Sequence, residues 1–197
     1  MSKRRPVWDN YKEKVAKKRM RKGEEKGATG PKGVPKGKYV LKKYLEGEKK
    51  GIEALFQSIE LHTRKSVQLN ALARNFAQSM ASEVQASEFG ETFIYGKVYY
   101  SSLNGEPVTL ENHLDGVFEK FINNTGEKSN QQFMVTDIQG VNYSLCDPEI
   151  ATAELADPDD QAIRFCTGNL SDTAIQSFLT CHECNRYCEM LKLSKQQ

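Results

Sequence analysis

The longest regular pattern in the chain is an apolar stripe at Leu69, Leu72, Ala73, Phe76, Ala77, Met80, Ala81 and Val84. Recurrence at i, i+3, i+4 and i+7 turns one helical face towards a core, and it predicts a helix from about Ile59 to Ala86. Next come strand formers, Phe93, Tyr95, Val98, Tyr99 and Tyr100. Asn104-Gly105 then supplies the pair that favours a type I′ hairpin turn, with Val108 and Leu110 on the returning strand. Tyr39-Val40-Leu41-Lys42 is a short strand ending in a lysine, Phe133 to Ile138 is another strand, and a second helix begins near Thr173 with Ile175, Phe178 and Leu179 facing inward. This order predicts an α+β fold whose N-terminal lobe, an antiparallel sheet with one long helix, ends near Glu111.

Composition narrows the class without naming it. The 197 residues, 38% hydrophobic and 27% charged, suffice for one domain or one unit of two lobes around a real core. No apolar run approaches the roughly 18–20 residues that cross a bilayer, and no signal-peptide pattern opens the chain, so a cytoplasmic or nuclear home without membrane contact is expected. Five cysteines (Cys146, Cys166, Cys181, Cys184, Cys188) are an odd number crowded towards one end, which suits metal or free thiols better than a disulfide framework.

The net charge of +2 hides a polarity. Residues 1–50 hold 18 Lys/Arg against 6 Asp/Glu, and the remainder holds 10 against 20. Such an arm can grip nucleic-acid phosphates, but base-stacking aromatics are not interleaved with the charges, and a solvated terminus is the better reading. Residues 1–14 are expected to be a disordered basic arm. Glycine every third residue in Gly27-Ala28-Thr29-Gly30-Pro31-Lys32-Gly33 is too short for a collagen helix. It reads as a linker or as a loop over phosphates, followed by Lys42 on its strand as kinases place a phosphate-binding lysine.

Two constellations carry chemistry. In Asp137-Ile138-Gln139-Gly140, alternation puts Asp137 and Gln139 on one strand face, and Asp147-Pro148 lies in a loop able to turn back towards them. An acid, an amide and a second acid can hold a divalent metal and orient a hydroxyl against a phosphate. The alternative is turn and cap chemistry, which Asp-Pro and Gln-Gly pairs also perform. His182-x-Cys184-x-x-x-Cys188 suits a soft metal such as zinc. On an unbroken helix the two thiolates would share a face and His182 would point away, so a shared ion requires a bend between His182 and Cys184.

These stretches resemble the atypical alpha-kinases, the Ser/Thr protein kinases that include elongation factor 2 kinase and the myosin heavy chain kinases. The likeness is carried by Asp137-Ile138-Gln139-Gly140-Val141, Asp147-Pro148, Gly168-Asn169-Leu170 and the His182/Cys184/Cys188 cluster. Leu110-Glu111 through Gly116 resembles the family's hinge, Lys120-Phe121 with Asn124-x-Gly126 its Asn-containing loop, and Tyr39-Val40-Leu41-Lys42 its lysine strand. The likeness runs from about Val15 to Leu193. It implies a two-lobed protein-kinase-like fold, with the N-lobe at 15–110 and the C-lobe at 111–197. It also implies ATP, Mg²⁺ and Zn²⁺ as cofactors and a protein Ser or Thr as acceptor.

By position, the resemblance gives Lys42 to the nucleotide phosphates and the backbone of Glu111 and His113 to the adenine. Asp137 becomes the catalytic acid, Gln139 and Asp147 the magnesium ligands, Gly168 and Asn169 part of a glycine loop, and His182, Cys184 and Cys188 zinc ligands. The chain departs from the family in lacking a histidine between the Asn-containing loop and Phe133 that would be the fourth zinc ligand. Cys146 stands where threonine is usual, and Ser171 and Ala174 stand where glycines are, with strain of roughly 1 kcal/mol or more expected at Ala174 if its φ must be positive. An active alpha-type kinase is therefore the first reading. A kinase-like pseudoenzyme that binds nucleotide or a partner is the second, and a basic nucleic-acid-binding zinc protein the third.

Overall fold

The computed structural model describes residues 34–84, 86–124, 133–152 and 171–191. The expected arm at 1–14, the glycine-rich stretch at 27–33, and Gly168 and Asn169 lie outside the described residues.

The chain order is β1 (Tyr39–Lys42), α1 (Glu46–Phe56), α2 (Ile59–Glu83), α3 (Ala86–Phe89), β2 (Ile94–Tyr95), β3 (Val98–Leu103), β4 (Glu106–Asn112), β5 (Glu119–Asn124), β6 (Phe133–Val141), β7 (Ser144–Cys146), β8 (Glu149–Thr152), α4 (Ser171–Cys181) and α5 (Arg186–Met190). One sheet has the order β1-β4-β3, all antiparallel. The other runs β2-β7-β6-β5, with β8 also on β6 and a parallel pairing only between β2 and β7.

The long helix is where the apolar stripe placed it, though it stops at Glu83 and a separate short turn, α3, follows. Ser58 starts it, its Oγ accepting the Leu61 N–H at 3.1 Å as an N-cap should. Leu69, Ala73 and Ala77 then meet Tyr95, Val135, Ile138, Leu145 and Ile150 in the main core, so α2 is the spine on which the second sheet lies. The β3–β4 hairpin turns at Asn104 and Gly105 with φ of 52° and 81°, as the type I′ reading requires. A smaller core of Met134, Ala151 and Ile175 seats α4 on the opposite face of β6.

Strand β6 breaks its own alternation. Val135 and Ile138 both reach the α2 core, which a strict period of two forbids for residues three apart. Asp137 between them has φ of 62°, which takes the strand out of the extended alternation, and the ladder with β5 shifts register just beyond it, between Lys120 and Ile122. Gly140 follows because β7 crosses so closely that a Cβ there would strike the Ser144 carbonyl and sit 2.8 Å from the Leu145 Cα.

The strain expected at Ala174 is absent. Ser171 and Ala174 lie within α4, where a glycine's freedom is not needed.

Candidate active site

Lys42 ends β1, and its register partner Thr109 places it beside β4, two residues from Glu111. Its ammonium pairs with the Glu111 carboxylate and with Asp147 Oδ2 at 2.6 Å, the latter from the turn between β7 and β8. One ion pair lies within the first sheet and the other joins the two sheets. The Lys42 and Glu111 side chains are only 10% and 9% exposed, whereas Asp147 remains 42% exposed and reachable. Burial opposes the lysine's charge, but Asp147 and Glu111 together outweigh it and hold its pKa above the ordinary value. One cation against two carboxylates leaves this cluster net negative.

The Gln139 Nε2 donates to the Asp147 carbonyl at 3.3 Å, which sets the amide beside that acid. Asp137 pairs with the ammonium of Lys120 on β5, the residue registered opposite Gln139. Asp137 and Asp147 both have left-handed φ, 62° and 48°. For Asp147 this is a doubly unfavourable choice, because the residue before a proline is driven towards extended backbone. Cys146 completes the cluster with Glu111 and Asp147, their ligand atoms all within 4.8 Å of one another. Burial first, then the two carboxylates, pushes its thiol up to about 12.

The backbone of Glu111 lies between Val40 and Val98 in the middle of the sheet, and it is the carboxylate that enters the site. The His113 N–H donates to the Lys38 carbonyl at 3.0 Å, leaving the His113 carbonyl as its remaining backbone group, and its Nδ1 lies 3.2 Å from Asp115. Sequence reasoning gave Lys120 no role. Its signal was its place in a motif whose asparagines drew attention first.

The sulfur cluster also assembles. Helix α4 stops at Cys181 and α5 starts at Arg186, so the required bend falls at His182–Asn185. Cys184 is therefore in that bend and not on a helix with Cys188. The ligand atoms of His182, Cys184 and Cys188 still lie within 4.8 Å of one another, with His182 Nε2 3.3 Å from Cys188 Sγ. Phe178 stacks on the His182 ring at 4.8 Å and fixes its plane. Groups this close fit around one ion with bonds of roughly 2.0–2.3 Å. Among the described residues no fourth ligand joins them. The oxygen set at Gln139 and Asp147 fits a hard cation such as Mg²⁺.

A lysine–glutamate pair on one sheet met by Asp147, with the Gln139 amide beside it, from the other, and α2 as spine, defines a kinase-like α+β domain. The chain belongs to the alpha-kinase family, whose profile matches residues 14–130 and 127–188. It is 28% identical over 171 residues to myosin heavy chain kinase C of Dictyostelium discoideum, covering 73% of this chain and 20% of that protein. It is 33% identical over 94 residues to transient receptor potential cation channel subfamily M member 6 of Homo sapiens, covering 48% of this chain and 4% of that protein. The chain thus spans a small part of either relative. The alpha-kinase domain of myosin heavy chain kinase A in complex with ADP superposes with a TM-score of 0.58 at 27% identity, over 80% of this chain and 65% of that one. No helix among the described residues is long and apolar enough to cross a membrane.

Proposed function

We propose that this chain transfers the γ-phosphoryl group of ATP to a serine or threonine of a protein. The convergence of Lys42, Glu111, Gln139 and Asp147 at the junction of the two sheets carries this reading. Lys42, braced by Glu111, binds the nucleotide phosphates. Asp147 and the Gln139 amide oxygen hold Mg²⁺, which when bound neutralises the charge gathering on the phosphates. Asp137, held by Lys120, orients the acceptor hydroxyl and accepts its proton, so most of the catalysis is positioning and electrostatics. Zn²⁺ at His182, Cys184 and Cys188 ties α4 to α5 as a structural centre. The partner is a protein substrate in the cytoplasm or nucleus, and neither membrane nor nucleic acid takes part.

The test is radiolabelled ATP transfer to a basic generic acceptor with Mg²⁺, with and without Asp137→Ala. Label in phosphoserine or phosphothreonine that vanishes in the variant supports the reading. The second reading, a nucleotide-binding pseudoenzyme, is favoured by the contact of Lys42 with Asp147, which occupies part of the metal ligand. ATP binding without transfer under any divalent metal selects it. Failure to bind ATP or its analogues rejects both.

A further inference from the structure

Asn70 sits on the core-facing side of α2, between Leu69 and Ala73. It is 3% exposed, and among the described residues its Nδ2 has no hydrogen-bond partner. A buried amide donor left unsatisfied is disfavoured, so its presence among apolar neighbours calls for a reason. The cavity it lines supplies one. A cleft of about 180 Å³ opens between the two sheets, walled by Ile94, Leu114 and Leu145 and bounded by Glu111 and Cys146. Complete small-molecule sites are larger, roughly 300–1,000 Å³. This volume suits a single ring system, with sugar and phosphates outside it. Glu111 lines the cleft and also pairs with Lys42, so phosphates extending towards Lys42 would leave a base in the cleft.

We propose that Asn70 is a specificity residue for the nucleotide, its carboxamide N–H donating to a ring nitrogen of the purine base seated in the cleft. The proposal rests on the nucleotide-binding part of the reading above and adds the group that recognises the base. The apolar walls sandwich the ring, which any base would satisfy. Asn70 contributes direction, because a base without an acceptor nitrogen at that edge leaves its donor unpaired.

The experiment measures ADP and inorganic tripolyphosphate binding by calorimetry, with Mg²⁺, for the wild type, Asn70→Leu and Asn70→Asp, alongside thermal melts. Leucine should weaken ADP about tenfold, the loss of one hydrogen bond. Aspartate, which removes the donor at nearly the same size, should weaken ADP at least as much. Tripolyphosphate affinity should stay at the wild-type value in both. Asn70→Leu should melt no lower than the wild type, since it removes an unsatisfied amide. Unchanged ADP affinity in both variants overturns the proposal while leaving the nucleotide reading intact. So does an equal loss of ADP and tripolyphosphate, or a lower melting temperature in both variants, because Asn70 is then a packing residue. Absence of ADP binding by the wild type overturns the nucleotide reading and this proposal with it.

Discussion

Asp137 and Asp147 both hold left-handed backbone, at φ of 62° and 48°, and they flank one gap in the ladder of β6. Pairing with β8 ends at Thr136–Glu149, and pairing with β7 begins at Gln139–Cys146. The two aspartates occupy the interval where neither ladder holds the chain. Non-glycine residues in this region are strained by about 1–3 kcal/mol, and such strain gathers where a side chain must be aimed.

Asp137→Asn should separate aim from chemistry. Asparagine tolerates left-handed backbone nearly as well as aspartate and is close to it in size. The melting temperature should therefore stay within a degree or two, while phosphoryl transfer falls at least about 100-fold because the proposed proton acceptor is gone. Asp137→Ala should lose as much activity and about 1 kcal/mol of stability besides. Melts and transfer assays on both variants check this, and an active Asp137→Asn enzyme would remove Asp137 from the chemistry.

Lys42→Met should be destabilising, by about 3–5 kcal/mol, because it removes the cation that pairs with the buried Glu111 carboxylate. Glu111→Gln in the same chain should recover a large part of that loss, since the carboxylate that lost its cation goes with it. Nucleotide affinity should not recover in the double variant, because the proposed phosphate-binding group, Lys42, is gone. Denaturant titrations of the two single variants and the double variant give the coupling. Strict additivity would mean that the pair is not energetically joined.

Alkaline pH should loosen the fold through this same cluster. Cys146 ionises near its ordinary value of 9.0 when unfolded but only at about 12 when folded, so the folded state binds more protons and stability falls as pH rises between them. Lys42 has the same sign, its raised pKa giving stability that is complete below 10.5 and lost as pH climbs through the higher folded value. Melting temperature should drop progressively above pH 9. Cys146→Ser should flatten the first part of that fall and leave the steeper loss above pH 10.5. A melting profile that is the same in both proteins from pH 9 upward would contradict the thiol's part.

What the sequence made legible was local. The α2 stripe, the Asn104-Gly105 turn and the sulfur cluster all follow from spacing over a few residues. The pattern runs past the helix end at Glu83 because Val84 continues the stripe of Met80 and Ala81 although its own backbone is extended. The site was legible as residue types along the chain and illegible where it depends on partners from distant strands. Nothing local says that Glu111 turns its carboxylate to Lys42, that Lys120 reaches Asp137, or that the Asn70 Nδ2 finds no partner among the described residues. The break in β6's alternation is equally invisible in a period-two pattern, because it shows only when Val135 and Ile138 are both found in one core.

The cluster of His182, Cys184 and Cys188 gives the last prediction. Protein purified without chelator should carry close to one zinc per chain, held by His182, Cys184 and Cys188 with water or a further side chain as the fourth ligand. Because a structural ion contributes its binding energy to folding, removing it with a strong chelator should lower the melting temperature. Cys188→Ser should cost more stability than Cys184→Ser, since Cys188 is buried beside His182 while Cys184 is exposed. Both should abolish stoichiometric zinc. Zinc well below one per chain, with a melting curve that ignores the chelator, would reduce the cluster to packing: Cys188 filling space next to the His182 ring that Phe178 already holds.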